Sequence, residues 1–322
     1  MVIQNNPFTD PTYIKNWTTH YYTDRESFRF DFIKGIEFTK HDRLPLYFNV
    51  GEGKSYGMSY EFSTSSNKKD FKHKVFFIYD VLDYFKIKST PPFKRLGVKK
   101  LFSGEGYLVQ LKEHDDIDSY LNAQFNSKGR NKLKAGLKKM EKAHAISYKW
   151  YYGSISRQKF SALLEAFYKF IEMTYKDKDV KNSHQKKGVK DWYNEMLFQM
   201  INEKKASFFV IKDDEKIISV NLAYHADNVM FGAAAVSNPE YISYGMGSIA
   251  ILKSIEWALE NKVSYFDMSK GSFGYKHRWA TKTYVSYHHI FFDKACPVSI
   301  LLANSISLLY WAKQFRKKIS NN

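Results

Sequence analysis

The chain has a single cysteine, Cys296, in 322 residues, so no disulfide framework can form within it and a reducing compartment is the simplest setting. No run of about 18 apolar residues occurs, which leaves no sequence-level candidate for a membrane span. The opening residues, MVIQNNPFTDPTY, lack the basic and apolar regions of a secretory signal, so a cytoplasmic protein is expected. There is no tandem repeat and no low-complexity tract. GEGKS (51–55) looks like a phosphate loop, but Phe48 stands where that pattern needs glycine. No Gly-x-Ser-x-Gly elbow is found. The ten histidines show neither His-x-x-x-His nor Cys-x-x-Cys ligand spacing, so no metal site is expected.

What is abundant is apolar and basic. Hydrophobic residues make up 44% and aromatics 17%, ample core for two domains or two similar lobes. The formal net charge is +17, carried by 42 lysines and only 8 arginines. An AT-rich genome yields that bias without any anionic partner. A phosphate-bearing small molecule, RNA or an anionic membrane would also suit it, although base and phosphate clamps favour arginine forks.

Short aromatic runs fill the first third: LPLYFNV (44–50) and KVFFIYDVLDYF (74–85) read as strands or buried helices. KSTPPFKRLGVKK (88–100) is a breaker, and GYLVQL (106–111) a strand. Residues 126–142 place Leu133, Leu137 and Met140 at helical spacing on an otherwise basic helix. It reads either as a solvated connector between lobes or as a cationic helix beside an anionic ligand. Residues 154–175 form a helix with Phe160, Leu163, Leu164, Phe167, Phe170 and Ile171 on one face. A polar, exposed stretch (176–191) separates it from a second helix, 192–205.

The most orderly part follows. Strands are expected at 207–211, 217–225 and 229–236, then a helix at 248–260, a strand at 263–269, a short helical turn and a strand at 284–292. That order predicts an α+β domain of antiparallel hairpins with one helical crossover between parallel strands. The tail, 297–318, is an amphipathic helix ending in basic residues. Docking back onto the protein is the expected fate, with peripheral membrane contact kept open.

Two segments carry chemistry. Tyr244-Gly245-Met246-Gly247-Ser248 opens a helix, where glycines let N–H groups approach a ligand and the helix end favours negative charge. It is either a pyrophosphate cradle or an ordinary cap with Ser248 as N-cap. FDMSKGSFGYKHRW (266–279) runs from an apolar strand through a glycine loop into Tyr-Lys-x-x-Trp, as a strand end delivering polar groups to a cleft would.

Taken together, YGMGSIAILKSIEWALENKVSYFDMSKGSFGYKHRWA (244–280) resembles the acyltransferases of the FemAB-like and BioF2-like branch of the GNAT superfamily. The shared features are the glycine turn, the helix ending in Trp-Ala, the strand ending Phe-Asp, the glycine loop and Tyr-Lys-x-x-Trp. Residues 107–142 resemble the segment that precedes this domain, and the likeness spans about 105–292. It implies a GNAT-like fold of two lobes around mixed sheets. The expected division is a degenerate N-terminal lobe (1–125), a basic connecting helix (126–148), an acyltransferase domain (149–294) and the tail helix (295–322). Two positions depart from the family: Ser272 and Phe273 stand where an acidic residue is common, and Ile242 where acetyl-CoA-binding members carry Arg or Gln.

The resemblance also implies a mechanism, direct attack of a primary amine on an acyl carbonyl in a cleft between splayed third and fourth strands. A backbone N–H near Ala235 or Val236 would hold the oxyanion. Asp267 would orient or deprotonate the amine, or merely cap its turn. Lys276 would neutralise phosphate or oxyanion, or lie on the surface. Tyr275 would protonate the leaving group, or merely pack, and Arg278 would pair with phosphate or carboxylate, or form a structural ion pair. Tyr244, Gly245, Gly247, Ser248 and Val236 would hold the acyl donor. Asn221, Tyr224 and His225 are further substrate-side candidates, and Trp279 reads as core. Three readings follow: an N-acyltransferase taking acyl-CoA as co-substrate, with an amino sugar, amino acid or envelope precursor as acceptor; a transferase using aminoacyl-tRNA; or a non-catalytic scaffold of an envelope pathway.

Overall fold

The computed structural model describes residues 3–22, 26–63, 69–175, 184, 188–271 and 274–320, and divides into two compact units: Met1–Glu105 with Tyr284–Asn322, and Gly106–Thr283. Ser272, Phe273 and most of 176–191 lie outside the described residues.

The chain enters the first unit through α1 (Pro11–Tyr22) and the strands β1 (Phe28–Phe30), β2 (Ile33–Lys40), β3 (Leu46–Asn49), β4 (Glu61–Phe62) and β5 (Val75–Leu82). Aromatics hold these strands together. The Phe76 ring lies 4.8, 4.9, 5.2 and 5.3 Å from those of Phe30, Phe32, Phe38 and Tyr47. The unit boundary falls inside β6 (Leu96–Gln110).

The second unit continues with α2 (Ile117–Gln124), α3 (Ser127–Ala143), β7 (Ile146–Tyr151), α4 (Arg157–Tyr175) and α5 (Val189–Asn202). Then come β8 (Ala206–Asp213), β9 (Lys216–His225), β10 (Val229–Ser237), α6 (Met246–Glu260), β11 (Tyr265–Lys270) and the single turn α7 (Lys276–Trp279). Its sheet runs β6-β11-β10-β9-β8-β7, all neighbours antiparallel except β10 and β11. The crossover through α6 between those two is the one expected. The apolar face of α4 is buried throughout, from Phe160 to Ile171. Helix α3 is no connector. Asn126 caps it, accepting from the Gly129 N–H at 2.8 Å, and Met140 is fully buried among Phe209, Ile211 and Met246.

The chain returns to the first unit as β12 (Lys282–Asp293) and α8 (Pro297–Ser320). The strand expected to complete the acyltransferase sheet instead lies antiparallel to β5, from Ser286↔Leu82 to Phe292↔Val75. The place beside β11 is taken by Gly106–Gln110 of β6. The expected α+β class with mixed sheets holds, but the units close at 105/106 and 283/284 rather than at 125/126 and 294/295. Helix α8 docks on the first unit, with Ala303 buried beside Leu46, Val75, Phe77 and Ile290.

Candidate active site

Strands β10 and β11 pair in parallel only from Val229↔Tyr265 to Phe231↔Asp267. Each then leaves the ladder for its own reason. β10 takes a bulge between Gly232 and Ala234 against β9. β11 passes through Ser269 in the left-handed conformation, φ 63°. The Asp267 carboxylate accepts the Ser269 N–H at 2.7 Å, and the Ser269 hydroxyl donates to the Gly232 carbonyl at 2.6 Å, replacing the lost ladder bond. A notch opens between the two strands.

The bulge also sets which way the β10 backbone faces. Asn238 donates to the Ile218 carbonyl on β9 (2.8 Å), and the Val236 carbonyl accepts the Ser219 hydroxyl (3.0 Å). Strand alternation therefore turns the N–H of Ala235 to the other edge, into the notch.

A cavity of about 530 Å³ fills this region, lined by Gly232–Val236, by Trp150 and Phe209, by Ser254 of α6, and by Tyr275 and Lys276. Asn221 lines it as well. Its amide nitrogen donates to the Phe209 carbonyl (3.3 Å) and the Ser219 hydroxyl (3.2 Å). A carbonyl can only accept, so this orients the amide and leaves Oδ1 buried with no partner among the described residues. A buried acceptor with no donor costs about 1–3 kcal/mol until a ligand supplies one.

Lys276 is 6% exposed, and its ammonium donates to the carbonyls of Ser269 (3.2 Å) and Lys270 (3.1 Å). Burial pushes its pKa down to about 8, against the opposing pull of Asp267. Asp267 is fully buried and is not part of the cavity wall, so it reaches the site through Ser269 and Lys276.

Residues 127–277 match the family model of the acetyltransferase (GNAT) domain. The second unit is a GNAT acyltransferase domain. Among solved structures, the chain is similar to a conserved protein of unknown function from Bacteroides thetaiotaomicron VPI-5482, with TM-score 0.55, 10% identity, and 91% of this chain and 93% of that one covered. It is also similar to FemX, with TM-score 0.53, 12% identity, and coverage of 80% and 83%. Both likenesses are of fold. No curated protein matches the chain in sequence.

Within the GNAT domain, Asn221, Ala235, Val236, Tyr275 and Lys276 meet at the cavity, and the other expected site residues do not. Tyr224 is buried within the sheet. His225 bonds Ser207 at 2.7 Å beneath Trp257, where burial takes its pKa down to about 3; it is a neutral packing residue. Arg278 is exposed on α7, and Trp279 is core, its carbonyl accepting from the Tyr120 hydroxyl.

The glycine turn lies outside the cavity wall, at the start of α6. That helix begins two residues earlier than expected. Gly245 is its N-cap at φ 76°, and Ser248 sits in the first turn instead of capping. An added Cβ at Gly247 would meet nothing within 4 Å, so no packing demands this helical glycine, which costs about 1 kcal/mol relative to alanine. Tyr244 bonds His144 at the end of α3 (3.1 Å). Helix α3 passes close to the turn through Gly136, with Lys128, Lys132, Lys138 and Lys142 exposed.

Sequence reasoning missed Trp150, Phe209, Ser254 and Ser269. Only Ser254 had left a signal, a polar residue one helical turn after Ala250 on the apolar side of α6. Among the described residues no group of three or more His, Cys, Asp or Glu side chains could hold a metal ion, and no helix is long and apolar enough to cross a membrane.

Proposed function

We propose that the GNAT domain transfers an acyl group from acyl-CoA to a primary amine by direct attack within the β10–β11 notch. The observation that carries this reading is the divergence of β10 and β11 into a cavity with the Ala235 N–H facing it. The amine nitrogen attacks the thioester carbonyl, forming C–N and releasing sulfur as C–S breaks, and one proton passes from nitrogen to sulfur. The Ala235 N–H takes the developing oxyanion, on the order of 3 kcal/mol of stabilisation. Holding both reactants in the notch supplies several kcal/mol more, up to about 7–11. Tyr275 is the hydroxyl offered to the departing sulfur. Lys276 supplies positive charge at the cavity wall. Asn221 Oδ1 takes an N–H of the bound substrate. Asp267 is a positioning residue, holding the Ser269 turn and favouring the Lys276 ammonium. Gly245, Gly247 and Ser248 receive the donor's phosphates at the α6 amino terminus.

The basic face of α3 beside that turn favours a second reading, in which the donor is aminoacyl-tRNA. Thermal-shift titration with CoA and acetyl-CoA, with ATP and heparin as polyanion controls, separates the two. Ligand at about 100 times its dissociation constant adds roughly 2.7 kcal/mol to stability. A rise specific to CoA supports the first reading and leads to an amine screen. No rise, or equal rises with every polyanion, removes CoA and turns the assay to aminoacyl-tRNA.

A further inference from the structure

Helix α8 is buried on one side only. Ala303 is inaccessible, with Leu302 and Ile306 partly buried beside it, yet Val298, Leu301, Leu308, Leu309, Trp311 and Phe315 are 52–71% exposed. At 100° per residue these six fall within an arc of about 160°, opposite the docked face and about 26 Å long. Asn304 and Ser305, also exposed, interrupt the arc between Leu301 and Leu308, yet monomer surfaces rarely carry six large apolar side chains exposed on one helix face without a partner. The Trp311 and Phe315 rings stack on it at 5.5 Å and 15°.

The charge around the stripe decides the occupant. Residues 294–322 contain five lysines and arginines and no acid, and Lys313 and Arg316 are exposed on the last turns that carry the stripe. A second copy would bring the same uncompensated positive charge and a net charge of +17. An anionic bilayer brings the opposite charge and an apolar layer into which one helix face can sink. We infer that α8 is an in-plane anchor on anionic membrane surfaces, with Leu301, Leu308, Trp311 and Phe315 at the acyl boundary and Lys313 and Arg316 among the headgroups. It does not span the bilayer.

Co-sedimentation of the full chain with vesicles tests this. The chain is expected to pellet with vesicles of phosphatidylcholine mixed with phosphatidylglycerol and to stay in solution with phosphatidylcholine alone. Leu308→Ser with Trp311→Ser is expected to weaken binding at least about tenfold. An unchanged melting temperature serves as the folding control, since both side chains are exposed. Lys313→Glu with Arg316→Glu is expected to abolish the preference for anionic lipid. Failure of the unaltered chain to pellet with anionic vesicles overturns the proposal. So does pelleting of the serine variant as strongly as the parent, which would assign binding to lysines elsewhere. A dimer in light scattering that the serine variant converts to monomer, without vesicle binding by either, would show a second copy to be the occupant.

Discussion

The buried ammonium of Lys276 makes a quantitative test, because its desolvation appears as a pH dependence of stability. Its pKa falls from 10.5 in the unfolded chain to about 8 in the fold. Below pH 8 both states hold the proton, and the folded state carries the full cost of burying the charge. Between 8 and 10.5 the unfolded chain keeps the proton that the folded one has released, so stability climbs with pH. The gap between those two values corresponds to roughly 3 kcal/mol. Lys276→Met fills similar space without a charge. It leaves the Ser269 and Lys270 carbonyls without their donor, but that loss is independent of pH. The difference in unfolding free energy, parent minus variant, should therefore rise by roughly 3 kcal/mol from pH 7.5 to above 10, most of it by pH 10. Urea melts of both proteins at several pH values give that difference directly, and other titrating groups cancel. Parallel curves would show that Lys276 is not desolvated, and its assignment to the cavity wall would fall with that result.

Further outcomes follow from the same geometry. Asn221→Leu removes the orphan acceptor and should lower kcat/KM at least about tenfold with little change in melting temperature, as one lost hydrogen bond to substrate would. Ala235→Pro deletes an N–H that faces the notch and should cost on the order of 100-fold in kcat; Ala234→Pro deletes one that faces β9 and should instead lower the melting temperature. His225→Leu should lower the melting temperature by orphaning Ser207 while leaving the pH–rate profile unmoved, since this imidazole is already neutral at physiological pH. In the first unit, Asp293 is fully buried and held by Arg95 (2.5 and 2.7 Å) and by the N–H groups of His73 and Ala295. Thermal melts of Arg95→Ala should show a large loss, and Arg95→Lys a smaller one.

What could be read from the residues was whatever is local. The apolar face of α4, the 214–215 turn between β8 and β9, and the β10-α6-β11 crossover all follow from periodicity and turn chemistry within a few residues. The partner of 284–292 did not. Alternation in YVSYHHIFF marks a strand, but pairing with β5 is a choice among distant partners that spacing does not encode. The glycine turn was recognised, yet Gly245 rather than Ser248 became the cap because it alone accepts a positive φ there. The notch depends on a bulge at Gly232–Ala234 and on a left-handed Ser269, a non-glycine residue that composition gives no reason to suspect. Asn221 is a candidate from the sequence only by its place on a strand. Its significance, an acceptor without a donor, exists only in the packed structure.

The return of β12 to the first unit bears on biosynthesis. Residues 106–283 are a continuous segment, and the order of synthesis lets them collapse as soon as they leave the ribosome. The first unit, although Met1–Glu105 precede that segment, has β5 waiting for a neighbour that emerges some 200 residues later, and α8 later still. Loop closure over that distance disfavours early assembly. The amino-terminal third is thus made first and completed last, with the Phe76 cluster without its final strand in the interval. Chaperone capture during translation should therefore fall on residues before 105 and end once β12 is out.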